Sequence, residues 1–323
     1  MSRLPVIQVF ALGGTIAMTP GASAGVIPSL TATELVSAVP GIDKMAEIQA
    51  DTLAQQGSAN LTFEIIADVI RRVNASDADA FIVTQGTDSM EESAFLASLM
   101  YRGDKPIIFT GAMRAPGQLS ADGPANLYSA VIAATDPAMG GVGLMMNNEL
   151  HDPWYVAKEH TSSLQAFVSE HGPAASITEG RLYWPRPMPQ HALARGVPER
   201  FAAVALVSTF LDDDGRILDA LPDMGYEGVV IEGLGAGHLP EGWADKAEEL
   251  ARHMPVILAS RAKGGRVFER TYGYKGAEID LIARGLVPAG GLRSRKARLL
   301  LSCLLGANVT NWNQTFTAAV KSV

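Results

Sequence analysis

Two threonines, each placed behind an apolar run and a glycine turn, constrain this chain more than any other feature in it. Thr15 lies in Gly13-Gly14-Thr15-Ile16-Ala17, and Thr87 lies in Thr84-Gln85-Gly86-Thr87-Asp88-Ser89-Met90-Glu91-Glu92. The runs before them, Val6 to Leu12 and Ala80 to Val83, read as buried strands that stop abruptly near glycine. Glycine permits a sharp reversal and a close approach of backbone to ligand, leaving a small hydroxyl at the carboxyl end of each strand. In open α/β sheets that edge is where ligands bind. Two hydroxyls delivered to one rim point to acyl chemistry on a small polar substrate.

The rest of the first half alternates strands with helices. A breaker-rich stretch, Met18 to Pro28, reads as a mobile loop, after which Thr31 or Thr33 caps a helix running to about Val39. Helical spacing returns over Phe63 to Val73, with Ile65, Ile66, Val69 and Ile70 on one side. Strand Phe81 to Val83 is followed by a helix over Ser93 to Tyr101, strand Ile107 to Phe109, helix Ala125 to Ala134 and strand Val142 to Met146. This β-α-β-α order predicts a parallel sheet covered on both faces. At Trp184-Pro185-Arg186-Pro187-Met188-Pro189 the composition shifts to a linker, and the pattern then restarts with strand Val204 to Ser208. Helix 212–221, strand Gly228 to Ile231, helix Trp243 to His253, strand Val256 to Ala259 and a closing helix Ser294 to Leu305 follow. The expectation is an α/β protein with a larger N-terminal parallel-sheet domain (1–185), a linker (186–201) and a smaller C-terminal α/β domain (202–323); 323 residues make two domains the default.

Charge and cysteine content narrow the partners. Lys+Arg 26 against Asp+Glu 34 leaves a net charge of -8, which argues against general nucleic-acid binding. The basic cluster Arg293, Arg295, Lys296 and Arg298 reads as a solvated helix start. Cys303 is the only cysteine, so no intrachain disulfide forms, and its apolar setting reads as a buried helix face. No basic-then-apolar export segment precedes the first strand, and no apolar run approaches the roughly 18 residues of a membrane span. A cytoplasmic protein with no membrane contact is expected, and the Asn-x-Ser/Thr matches at Asn60, Asn74, Asn308 and Asn313 read as chance. His151, His160, His171 and His191 lack metal-ligand spacing.

A threonine hydroxyl is a poor nucleophile near neutral pH and needs a base or a polarising neighbour. Asp88 stands beside Thr87, and a lysine made partly neutral by burial or crowding completes a proton relay; Lys158 in Trp154-Tyr155-Val156-Ala157-Lys158 is the candidate. An isolated Thr-Asp pair equally suits a turn or a helix cap. Gly13-Gly14 lacks the third glycine and the later acidic residue of a dinucleotide fingerprint, and no Gly-x-Ser-x-Gly elbow is present.

With these motifs in order, the chain resembles the bacterial-type L-asparaginase and glutaminase-asparaginase family over essentially its whole length. Thr110-Gly111-Ala112-Met113-Arg114, Ser120-Ala121-Asp122-Gly123-Pro124-Ala125-Asn126-Leu127-Tyr128 and Lys296-Ala297-Arg298 carry the resemblance together with the two threonine turns. It implies a two-domain α/β fold, a homodimer or homotetramer with active sites between subunits, a small-molecule amide substrate, and no metal or organic cofactor. By the same resemblance Thr15 attacks the amide carbon and forms an acyl-enzyme, with Thr87, Lys158 and Asp88 as the relay. Ser58 binds the substrate's α-carboxylate, with Gly57 beside it in the substrate-binding set, and Asp88 also holds the α-ammonium. Backbone groups at Gly86, Thr87 and Ala112 shape the oxyanion environment, and Glu278 is the acidic residue lent by the neighbouring subunit.

Three departures from the family pattern bear on the substrate. The first loop, Met18 to Leu30, has no tyrosine, with Val26 in its place; Gln85 stands where His is frequent; and the turn Gly233-Leu234-Gly235-Ala236-Gly237-His238 lacks asparagine, with His238 at the position nearest the substrate's amino end. They leave open which amide is preferred, including a different or cyclic carboxamide. A catalytically silent amino-acid binder is the non-enzyme alternative, against which the set Thr15, Thr87, Asp88 and Lys158 argues.

Overall fold

A computed structural model describes residues 3–21, 25–188, 196–321 and 323. They fall into two compact units, one comprising the described residues up to Met188 together with Gly196 and Val197, the other starting at Pro198. Part of the expected linker, 189–195, lies outside the described residues, and His191 with it.

In the first unit, β1 (Val6–Gly13) is buried at all eight positions. This is the pattern of a central parallel strand covered on both faces, for which an unbroken apolar run is the signature. After it come β2 (Met18–Pro20) and β3 (Val26–Pro28), which pair antiparallel. The segment read as a loop is therefore a hairpin, with Val26 and Ile27 about half exposed. Helix α1 (Ala32–Ser37) starts with a capping box: the Thr31 hydroxyl accepts from the Glu34 N–H, and the Glu34 carboxylate accepts from the Thr31 N–H. Strand β4 (Glu47–Gln56) follows, then amphipathic α2 (Phe63–Ala75), β5 (Ala80–Thr84), α3 (Met90–Met100), β6 (Ile107–Thr110), α4 (Gly123–Thr135) and β7 (Val142–Met146). Pro124 sits in the first turn of α4, where a missing N–H costs nothing.

The remaining strands of this unit are short: β8 (Glu149–His151), β9 (Val156–Lys158), β10 (Phe167–Ser169), β11 (Ala175–Thr178) and β12 (Arg181–Tyr183). The large sheet runs β12-β11-β8-β7-β6-β5-β1-β4. From β4 to β7 it is parallel, as the β-α-β-α order predicts; β8, β11 and β12 add an antiparallel edge. The reversal is made by Asn147 and Asn148, both left-handed (φ 48 and 64), which a two-residue hairpin requires.

The second unit contains β13 (Val204–Ser208), α5 (Arg216–Ala220), β14 (Gly228–Gly233), α6 (Glu241–Ala251), β15 (Val256–Ser260), α7 (Glu278–Ala283), β16 (Val287–Pro288), α8 (Ser294–Gly306) and α9 (Trp312–Val320). Its four strands are parallel and lie side by side in chain order, packed around Trp243, Leu218 and Leu281. Helix α8 is not the last element, since α9 follows it. Lys296, read as part of a solvated helix start, is buried instead. Burial pushes the Cys303 thiol up to about 12, which keeps it protonated and inert.

Candidate active site

The spatial order β4-β1-β5 puts a topological switch point at β1. The chain leaves β1 to build β4 on one side, then returns across it to build β5 on the other. A crevice at the carboxyl ends of the strands is the consequence of such a reversal. Each of these three neighbouring strands ends in the same way: glycine, then a hydroxyl residue that opens a single 3-10 turn. The turns are Thr15–Ala17 after Gly14, Ser58–Asn60 after Gly57 and Thr87–Ser89 after Gly86. Sequence reading singled out two of these turns as reactive; the third matches them in form.

The glycines are needed because the turns touch backbone to backbone. The Gly14 N–H donates to the Gln56 carbonyl at 3.0 Å. A Cβ on Gly14 would lie 2.0 Å from the Gly86 nitrogen and 2.2 Å from its Cα. One on Gly86 would come within 2.8 Å of the Ser58 hydroxyl oxygen. Around the Ser58 turn the contacts are polar: the Asp88 N–H donates to Ser58 Oγ at 3.2 Å, and Ser89 Oγ donates to the Ser58 carbonyl at 2.9 Å. Ser58 and Thr87 are buried, and Thr15 is half-buried.

Lys158, the last residue of β9, reaches this rim from 71 residues beyond Thr87. Its Nζ donates to Thr87 Oγ1 at 2.8 Å and to Asp88 Oδ1 at 2.6 Å, with its own side chain 13% exposed and that of Asp88 75% exposed. Thr87, Asp88 and Lys158, expected as a group, thus form one contiguous set, and their turn is packed against the turn that carries Thr15. Ala112 is fully buried in the turn after β6. There Gly111 approaches the Gln85 carbonyl, Asn126 Nδ2 donates to the Gly111 carbonyl at 2.9 Å, and Asp122 accepts the N–H groups of Met113 and Arg114. Gln85 is fully buried, its Nε2 donating back to the Gly86 carbonyl at 3.2 Å while its Oε1 has no hydrogen-bond partner among the described residues.

His238 and Glu278 come together in the second unit. Glu278, at the start of α7, is fully buried; Oε1 accepts from the Thr271 and Tyr272 N–H groups at 2.8 and 2.7 Å, and Oε2 meets His238 Nε2 at 3.1 Å. Burial alone would raise this carboxyl. The backbone donors, with His238, outweigh that effect and hold it below its ordinary value. An ionised carboxylate can only accept, so His238 Nε2 carries the shared proton, while Nδ1 meets the Tyr274 hydroxyl at 3.0 Å. Both ring nitrogens of His238 are thereby engaged inside the cluster. Tyr272 stands edge-on to the same ring at 5.0 Å. Neither tyrosine was legible as a site residue, because nothing in the spacing of Tyr272 and Tyr274 connects them to a histidine more than 30 positions away.

Among the described residues no group of three or more His, Cys, Asp or Glu side chains could hold a metal ion, and no helix is long and apolar enough to cross a membrane.

Comparison with known proteins accounts for both units. A model of the N-terminal asparaginase domain matches residues 6–190, and a model of the glutaminase/asparaginase C-terminal domain matches residues 203–315. The chain is 32% identical to a Haemophilus influenzae protein named probable L-asparaginase periplasmic, over 94% of this chain and 89% of that one. It is 31% identical to a Bacillus licheniformis protein named L-asparaginase, over 93% of this chain and 95% of that one. Among solved structures, a Campylobacter jejuni protein titled probable cytoplasmic L-asparaginase superposes with a TM-score of 0.86 at 28% identity, covering 98% of this chain and 99% of that one.

Proposed function

The chain belongs to the asparaginase family, and from that premise we propose that it is an amidohydrolase releasing ammonia from a small amino-acid amide of the L-asparagine type through a threonine acyl-enzyme. Thr15 Oγ1 forms the new bond to the amide carbon, the carbon–nitrogen bond breaks, and the nitrogen leaves as ammonia once it has gained a proton. Water then cleaves the ester to free the acid. Thr87, Lys158 and Asp88 move the protons: the amine accepts one by way of a threonine hydroxyl and later returns it to the leaving group.

The observation that carries this reading is the Lys158 amine held between Thr87 Oγ1 and Asp88 Oδ1 at 2.8 and 2.6 Å. A pure binder has no use for an amine hydrogen-bonded to a threonine on the rim where Thr15 also sits. Substrate orientation fits the same rim. Because Ser58 Oγ accepts the Asp88 N–H, its own O–H is left to donate, which suits an α-carboxylate beside Gly57. The largely exposed carboxylate of Asp88 suits the α-ammonium. N–H groups about Gly86, Thr87 and Ala112 are the oxyanion donors.

His238, backed by Glu278, meets the substrate's amino end from a neighbouring subunit of a homodimer or homotetramer once Tyr274 releases Nδ1, the ring nitrogen that can then accept from the ammonium. The relatives' names point both to the periplasm and to the cytoplasm; we place this chain in the cytoplasm, to be checked by cell fractionation. The deciding assay measures ammonia release from L-Asn, L-Gln, D-amides and N-substituted amides. Activity that disappears in Thr15→Ala and Lys158→Met is expected, with L-Asn turned over faster than L-Gln. A blank panel, with a ligand still raising the melting temperature, would make this protein a binder.

A further inference from the structure

The relay lysine is gripped at both ends by one short segment. Its amine meets Thr87 and Asp88, and its backbone N–H donates to Glu91 Oε2 at 2.7 Å, across 67 positions of chain. Glu91 lies in the first turn of α3, directly after the 3-10 turn that carries Thr87 and Asp88, and it is buried. Its carboxylate accepts from a strand of only three residues, β9, which pairs with the equally short β10.

A three-residue strand in a two-stranded ladder has little rigidity of its own. Something else must set where Lys158 begins. A backbone donor on a carboxylate is the stronger kind of hydrogen bond, and burial protects it from competing water. We propose that Glu91 is a positioning residue for the relay: it fixes the Lys158 backbone to the helix that follows Thr87 and Asp88, so that the amine falls between their oxygens. The idea rests on the amidase reading above, and goes beyond it in assigning the buried glutamate a task. Segment 87–91 then works as a single jig, with two side chains aimed at the amine and a third holding the chain that bears it.

The test compares Glu91→Ala with Glu91→Gln. The glutamine amide oxygen can accept the same N–H at the same reach, so a positional role survives in Gln and is lost in Ala. Steady-state ammonia release is expected to show kcat lowered by roughly 10- to 100-fold in Glu91→Ala, as a displacement of about 1 Å at a reacting group produces. KM should stay within about threefold, because substrate contacts are untouched, and Glu91→Gln should keep most of the kcat. The second readout needs no turnover: limiting acetic anhydride labels Lys158 in competition with exposed Lys263, read by mass spectrometry. The Lys158-to-Lys263 labelling ratio should rise several-fold in Glu91→Ala and hold in Glu91→Gln. Full kcat in Glu91→Ala, a loss confined to KM, or equal damage in both variants would overturn the proposal. An unchanged labelling ratio would overturn it too. Should Glu91→Ala not fold, Glu91→Asp, which withdraws the carboxylate by one methylene, is read against the same outcomes. If the wild-type protein hydrolyses no amide at all, the amidase reading falls while the labelling ratio still decides the role of Glu91.

Discussion

Gly14→Ala tests the close approach on which the site depends. Gly14 has φ 83 and ψ -175, a region populated essentially by glycine, and placing another residue there costs about 1–3 kcal/mol. The added Cβ would lie 2.0, 2.2 and 2.6 Å from three backbone atoms of Gly86 and Gln85. No flexible side chain can yield, so overpacking adds about 1–3 kcal/mol. The sum, roughly 2–6 kcal/mol, corresponds to a fall in melting temperature of roughly 4–24 °C for a unit of this size. Reaching ordinary contact at 3.4 Å requires the two turns to part by about 1.4 Å, and a displacement of that order lowers kcat by about 10²-fold. Gly41→Ala is the control. It too is left-handed (φ 77), but its Cβ would meet nothing within 4 Å, so it carries only the backbone penalty of about 1–2 kcal/mol and no loss of turnover. Calorimetry and ammonia release are measured on both. A Gly14→Ala protein no less stable than Gly41→Ala, with wild-type kcat, would refute the packing of the Thr15 turn against the Thr87 turn.

Lys158→Met should lower kcat by about 10²–10⁴-fold, the usual contribution of a positioned acid–base group. Its melting temperature should move by no more than a few degrees, because an ion pair to a largely exposed Asp88 is worth at most about 1 kcal/mol; more than a tenth of wild-type turnover would sink the relay. Acid unfolding should reflect Glu278. Its carboxyl is held below the ordinary 4.5, so the stabilisation is complete above that value and is lost as the pH falls through the lower folded value. Glu278→Gln should therefore flatten the fall of melting temperature on the acid side of pH 4.5, and an unaltered acid profile would contradict it. Mixing refolded Thr15→Ala and Glu278→Ala proteins, each inactive alone, should restore part of the activity if each site draws on two subunits; no recovery in mixtures shown by native mass spectrometry to contain hybrids would exclude a shared site.

Much of the first unit's frame was legible from local chemistry. Val6–Gly13 and Ala80–Thr84 are buried at every position and apolar but for Gln8 and Thr84, because both their faces are covered, and a glycine followed by threonine marks where each ends. Strand β4 carries no clear period because it is an edge strand of mixed polarity, Glu47 to Gln56, with every residue at least partly exposed. Short strands β8 to β12 carry too few residues for a period to register. The Met18 to Pro28 stretch reads as loop because hairpin pairing, not apolar patterning, makes it β.

For the candidate site, the chain by itself determined which residue types stand at strand ends: hydroxyls behind glycines, an acid beside one of them, a lysine downstream. Family resemblance added the expectation that they act together. Only the tertiary structure decided that Ser58 shares hydrogen bonds with Asp88 and Ser89, that Lys158 meets Thr87, that Glu91 holds Lys158 by its backbone, and that His238 is saturated by Glu278 and Tyr274. The physical reason is separation. Strand ends and turns are set by backbone sterics within a few residues, whereas these contacts span 30 to 71 positions and exist because sheet order and packing bring distant ends to a common edge.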